Sequence, residues 1–310
     1  MSEKVIKSYK AFDKNMQCRG FQYEVGKEYE MNGGIKCCNR GFHACKSPME
    51  VWDHYDMLSS RFAEVEQSGK IDEERNSTKV CSSRIKIKAE LKLADIIKVG
   101  VEWLKDITSP TKVKTDIAKN DNGGDYAQIG SSGDYAKIGS SGYLAQIGSS
   151  GYLAQIGSSG DYAQIGSSGC SAQIGSSGDY AQIGSSGDSA KIGSGGYSAK
   201  IGSSGCSAQI GSSGDYAQIG SSGDYAKIGS SGDYAQIYST GEDSVVMCAG
   251  KESKAKAKVG SWITLTEWEW NDDKKRRVPL CVKTEYVDGN NIKADTWYQL
   301  QNGEFVEVTV

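Results

Sequence analysis

The chain has 310 residues, with 36 Lys and Arg against 39 Asp and Glu, for a net charge of −3. So even a balance gives no global pull toward nucleic acid or an acidic membrane, and it argues against nucleic acid as a partner. The opening MSEKVIKSYKAFD lacks the apolar core of a secretory signal, and no stretch approaches the ~18 apolar residues that span a bilayer. The nine cysteines, an odd number, read as free thiols, so a cytoplasmic location and no membrane partner are expected.

Residues 1–114 read as a small α/β domain. SYKAF and FQYEV have strand composition. Ser47-Pro48-Met49-Glu50 has the form of a capping box with Pro at the first helical position, which predicts a helix through Val51, Trp52 and Tyr55. Arg61–Gln67 and Arg84–Leu91 alternate like strands, and Ile85, Ile87, Ala89 and Leu91 would share a face. Ile96, Ile97, Val101 and Leu104 have helical spacing, with Pro110 closing that helix.

Residues 115–249 are a repeat array, and they set the fold class: mainly β, a nonapeptide-repeat β-solenoid. The unit G-D-Y-A-Q-I-G-S-S runs thirteen times from Gly124 to Thr240. Ala holds the fourth place throughout, as at Ala127, Ala136, Ala181 and Ala217; Ile holds the sixth, as at Ile129, Ile138, Ile183 and Ile219. Residues two apart on a strand face the same way, so these form the expected core, and the intervening Gln or Lys faces outward. The glycines, each costing ~1 kcal/mol in a helix, exclude helix. G-S-S-G reads as a corner whose glycines tolerate positive φ.

The variants favour two repeats per coil. Tyr143-Leu144 and Tyr152-Leu153 would be the two halves of one coil, and Cys170, Asp188 and Cys206 would share a column. About seven coils would then extend roughly 30–35 Å at ~4.8 Å each. Tyr126, Tyr135, Tyr162, Tyr180, Tyr216 and Tyr225 are candidates for a binding surface, or simply for ladders covering the solenoid.

Residues 250–310 read as a β-rich cap. SWITLTEWEW and VPLCVKTEYV are strands around the charged turn NDDKKRR, and TWYQL and EFVEVTV flank the hairpin signal Gln301-Asn302-Gly303. Four of the six tryptophans lie here and could fill a small core. An array of identical coils has two sticky ends. The degenerate copies at 115–123, with Asp116, Asn120, Asp121 and Asn122, and at 241–249, followed by Lys251, Lys254, Lys256 and Lys258, read as the places where caps begin.

YKAFDKNMQCRGFQYEVGKEYE, GFHACKSPMEVW and RFAEVEQSG resemble an uncharacterised domain family encoded by phages and prophages, whose members carry GSSGDYAQI-like repeats and a tail like IKADTWYQLQNGEFVEV. The resemblance covers nearly the whole chain. It implies a phage-type accessory protein and supplies no activity and no catalytic residues.

Three constellations of residues bear on chemistry. Cys18, Cys37, Cys38, Cys45, His43 and His54 are zinc-binding residue types, but no C-x2-C knuckle is present, and neither a metal nor a cofactor is expected. The repeat is similar to a calcium-binding nonapeptide, with Tyr where the ligand Asp should stand. The order YKAF, GFHAC, helix, FAEVEQ resembles the opening of an ADP-ribosyltransferase fold, with Glu64 and Glu66 as paired glutamates. Lys10 stands where many members carry Arg or His, however, and no Ser-Thr-Ser follows. The expected function is thus a non-enzymatic, intracellular, phage-type repeat scaffold that binds a host or phage protein, or its own copies, through the solenoid side faces. The alternative is an ADP-ribosyltransferase-like or nucleotide-binding N-terminal domain displayed on that scaffold.

Overall fold

The computed structural model describes residues 4–74, 77–109 and 124–309, and the backbone of strand Lys119–Asp121. The chain forms two compact units, Met1–Trp103 and Leu104–Val310. Pro110 and most of the degenerate copy at 115–123 lie outside the described residues.

The first unit is an antiparallel β domain. Its strands are β1 (Ile6–Phe12), β2 (Glu28–Glu30), β3 (Phe42–Cys45), β4 (Arg61–Glu73) and β5 (Lys79–Leu91). The pairings β1–β4, β4–β5, β5–β3 and β3–β1 close a ring, and β2 adds to β5. Phe12, Phe42, Val65, Ile85 and Ile87 fill it. A polar residue sits among them. Gln67 is fully buried; it accepts from Ser8 Oγ at 2.7 Å and donates to Phe42 O at 2.7 Å and Ser82 Oγ at 3.1 Å. One amide thereby ties β1, β3 and β5 to β4, and its polar atoms are satisfied, as burial demands.

Three local expectations need correction. FQYEV pairs only at Phe21–Gln22, in a two-residue hairpin with Gln17–Cys18. The helix through Val51 is a single 3-10 turn, Glu50–Asp53. The Glu50 carboxylate does not close a capping box; it accepts from Ser77 Oγ at 2.5 Å and Thr78 N at 3.0 Å, across the domain. Ala89 is exposed, because β5 runs past the core beyond Ile87. Helix α1 (Leu93–Ile107) forms as its periodicity implies, with Ile96, Ile97, Val101 and Leu104 all fully buried.

The second unit is the solenoid, of about eight turns between residues 128 and 265. Each nonapeptide contributes one four-residue strand, Q/K-I-G-S in nearly every copy. Strands pair parallel with those eighteen residues away, Ile156 with Ile174 and Ile165 with Ile183, so one coil is two repeats. Alternate strands build two stacked sheets. Sheet I contains Lys137–Ser140 and its eighteen-residue relatives; sheet II contains Gln128–Ser131 and its own. All thirteen isoleucines are buried between them. The alanines are fully buried from Ala145 to Ala235, whereas Ala127 and Ala136, in the first coil, are half-buried. The second inward position of each strand is a serine, from Ser140 to Ser239. Ten of those hydroxyls, Ser149 to Ser230, have no hydrogen-bond partner, so the interior is held by packing and by the backbone ladder.

The corner works differently from the expectation. None of the described repeat glycines has positive φ. The left-handed residue is the one before Ala: Tyr126, Tyr135, Leu144, Ser171 and their equivalents, with φ of 51–59°. The corner glycines serve close approach instead. A Cβ on Gly178 would lie 2.0 Å from the carbonyl oxygen of Gly160, one coil earlier, and the same clash recurs along the column. All eight corner aspartates of the repeats link one coil to the next from outside; Asp161 Oδ1 accepts from Asp179 N at 2.9 Å and Asp179 Oδ1 from Tyr197 N at 2.8 Å.

The tail continues both sheets. β6 (Trp262–Asn271) adds parallel to Val245–Cys248 in sheet I and is covered by β7 (Arg276–Tyr286). β8 (Tyr298–Gln301) pairs with Lys254–Lys256 in sheet II, and β9 (Glu304–Glu307) follows across a turn with Asn302 and Gly303 at positive φ. Ile263, Leu265, Tyr298 and Leu300 join the solenoid core. The tryptophans do not fill a core of their own: Trp297 is buried, but Trp262 and Trp270 are about half exposed. The aliphatic column simply runs on into the tail, leaving no separate interior to fill. β7 is the outermost strand of sheet I and carries Pro279, which has no N–H to offer another chain.

Candidate functional site

The two sheets carry the same outward residues in different surroundings. On sheet I, Gln155, Gln173, Lys191, Gln209 and Lys227 stand exposed beside a column of glycines. A Cβ on Gly157, Gly175, Gly193, Gly211 or Gly229 would meet nothing within 4 Å. The result is a groove of about 950 Å³ running from Lys137 to Lys227. On sheet II the equivalent Gln164 and Gln182 are only 5% and 2% exposed. There the chain's own backbone enters the trough. A Cβ on Gly130 would lie 1.8 Å from the Thr108 carbonyl oxygen, and one on Gly148 would lie 2.3 Å from Thr108 Oγ1 and 3.1 Å from Leu104 O. At Gly130 and Gly148 glycine is required because the segment ending at Thr108 rests on them.

The candidate tyrosines divide between the two corner edges. Tyr126, Tyr162, Tyr180 and Tyr216 belong to one ladder, which Tyr143, Tyr197 and Tyr234 complete, with successive ring centroids 4.8–6.2 Å apart. Tyr143 and Tyr197 come one place early in their repeats, exactly where Leu144 and Ser198 have displaced the usual Tyr, so the column stays aromatic. Lys251 Nζ closes it, 4.9 Å over the Tyr234 ring. Sequence reasoning did not count Tyr143 and Tyr197 as candidates because they stand in the Asp place of their repeats; pairing that place with its eighteen-residue neighbours would have found them. Tyr135 lies on the other edge with Tyr152, centroids 6.0 Å apart. Ser171, Ser189 and Ser207 then interrupt that edge before Tyr225 and leave a notch of about 390 Å³, which shares Lys191 and Gln209 with the groove.

The first unit holds a cleft of about 1,020 Å³. Its wall is aromatic: Phe21, 45% exposed, lies 4.8 Å from Tyr23 and 5.3 Å from Tyr29 in edge-on contacts. Lys10 on β1 is 5% exposed. Its Nζ donates to His43 O at 2.9 Å and to Cys18 Sγ at 3.4 Å, and lies 5.6 Å from the Phe12 ring centre and 5.5 Å from that of Tyr23. Burial pulls the Lys10 pKa below that of an ordinary lysine. Cys18 Sγ is also 2.7 Å from Tyr55 Oη, whose pKa burial pushes upward. His43 is held in the acceptor role, taking the Cys38 N–H at 3.0 Å on Nε2, and burial lowers its pKa. A neutral ring suits that acceptor role.

The paired glutamates do not line this cleft. Glu64 pairs with Lys7 at 2.8 Å and Glu66 with Lys88 at 3.0 Å, both on β4. The cysteines also disperse. Cys37 meets Asp72, and Cys38 lies by Glu74 and Lys79. Among the described residues, Cys45 and His54 bring their donor atoms together, and Glu50 joins them. All nine cysteines are free thiols.

No curated protein and no solved structure matches the chain. Residues 6–99, the stretch that builds this cleft, match a family model described as a domain of unknown function (DUF7666).

Proposed function

We propose that the protein is a non-enzymatic repeat scaffold that binds a macromolecular partner along the open face of sheet I. The observation that carries this reading is the difference between the sheets. The same glycine trough meets polypeptide at Gly130 and Gly148 on sheet II and lies open over five coils on sheet I. Its rim of Lys191, Lys227 and glutamines offers donors at regular intervals to an extended or helical segment. On the resemblance to phage-encoded chains, such a scaffold would act inside an infected or lysogenic cell. Gly175→Leu and Gly193→Leu would fill the groove without touching the coil. A partner pulled from infected cells by the wild type should be lost with this double variant and kept with a substitution on β7. Identical capture by both would remove the groove from the account, and self-association would appear instead as a change in mass by light scattering.

A second reading rests on the cleft of the first unit. An exposed aromatic wall beside a buried lysine suits a ligand with a flat ring and a polar group, such as a nucleotide fragment. Titration calorimetry with nicotinamide dinucleotide and its fragments tests it; no heat at millimolar ligand would leave the scaffold reading alone.

A further inference from the structure

We propose that Cys45, Glu50 and His54 form a binding site for a transition-metal dication of the zinc class, opening on the cleft of the first unit. The sulfur, carboxylate and imidazole donor atoms all lie within 4.8 Å of one another. An ion centred among them is at most roughly 2.8 Å from each donor, against ~2.0–2.3 Å in a formed zinc site, so small side-chain rotations complete the coordination. A mixed S, O and N set suits zinc or cobalt rather than calcium or magnesium, which take oxygen.

Local structure brings the three together. Cys45 ends β3, Glu50 opens the 3-10 turn, and His54 is its C-cap. Val51 and Trp52, both buried, fix the turn between them. The carboxylate is already oriented, because Ser77 Oγ and Thr78 N both donate to it. Hydrogen bonds from outside the coordination sphere are what hold a ligating carboxylate in place. Cys45 is 3% exposed, and its sulfur lies within 4.8 Å of this carboxylate. Cys45 and His54 both line the cleft, which gives an ion its entry path and leaves a fourth position for water or a cleft ligand.

The test uses the full-length chain, stripped of metal by dialysis against chelator and titrated with Co²⁺. One equivalent should bind, with a thiolate-to-cobalt charge-transfer band and the intense visible bands of tetrahedral cobalt. Cys45→Ser should abolish the charge-transfer band, and Cys38→Ser should leave it. His54→Ala changes an exposed residue and should not disturb folding; it should weaken Co²⁺ and Zn²⁺ binding by ~100-fold or more, and Ser77→Ala by ~10-fold or more. A full-length protein that binds no stoichiometric Co²⁺ or Zn²⁺ would overturn the proposal. So would a band that survives Cys45→Ser, or binding unchanged in His54→Ala.

Discussion

Sheets I and II are written in the same nine-residue sentence, yet one outer face is open and the other is occupied where Thr108 and Leu104 meet Gly130 and Gly148. On sheet II, Gln182 is buried and Gly130 meets the Thr108 carbonyl; on sheet I, Gln173 is exposed and Gly175 meets nothing. The repeat therefore specifies the coil, while what lies against each face is decided by residues outside it. A glycine that looks redundant in the sequence is obligatory on one side and free on the other.

The largest expected effect removes what both faces share. Deleting residues 250–310 strips Ile263, Leu265, Tyr298 and Leu300 from the core and bares the last rung of each sheet. End-to-end oligomers or aggregates should appear in size-exclusion chromatography with light scattering. A truncated chain as monodisperse as the intact one would show that the tail does not protect the ends. Next come Ile174→Ala in sheet I and Ile183→Ala in sheet II. Both are buried in one core, so each should cost ~2–5 kcal/mol in denaturant unfolding, and by similar amounts. A large disparity would mean that the covering of sheet II stabilises its side independently.

The faces should separate at the glycines. Gly148→Val puts a side chain into Thr108 and Leu104 and should cost ~1–3 kcal/mol by overpacking. Gly157→Val meets open space and should cost nothing, or gain up to ~1 kcal/mol from better strand propensity. Equal effects would erase the distinction on which the proposed function rests. Smallest of all, Tyr180→Ala breaks the aromatic ladder between Tyr162 and Tyr197 and should cost ~0.5–1.5 kcal/mol in the same assay. Full stability in that variant would make the ladder a surface available for binding rather than a structural element.

Most of the solenoid was legible because its signals are periodic. Ala and Ile two apart gave the interior, and the paired variants gave two repeats per coil. The roles of the glycines were not legible, because close approach between coils depends on atoms eighteen residues away, whereas positive φ is a local property that residue type suggests. Here Tyr, Leu and Ser take that conformation. The inward serines were missed since a small hydroxyl residue beside glycine looks like turn. In the first unit, Glu50 looked like half of a capping box. Its actual partners, Ser77 and Thr78, come from a segment no local pattern connects to it, which is also why its meeting with Cys45 and His54 could not be foreseen.

The two-repeat coil places a parity rule on the gene. Slippage in such a tract adds or deletes nonapeptides one at a time, but the solid object counts in pairs. Two extra repeats would lengthen the column by one rung and leave every residue on its own side. A single extra repeat would turn everything beyond it by half a revolution. The tyrosine column running from Tyr126 to Tyr234 would jump to the opposite edge, and the tail strands would emerge beneath the other sheet. Length variants that keep the ladder and the open groove continuous should therefore differ by multiples of eighteen residues.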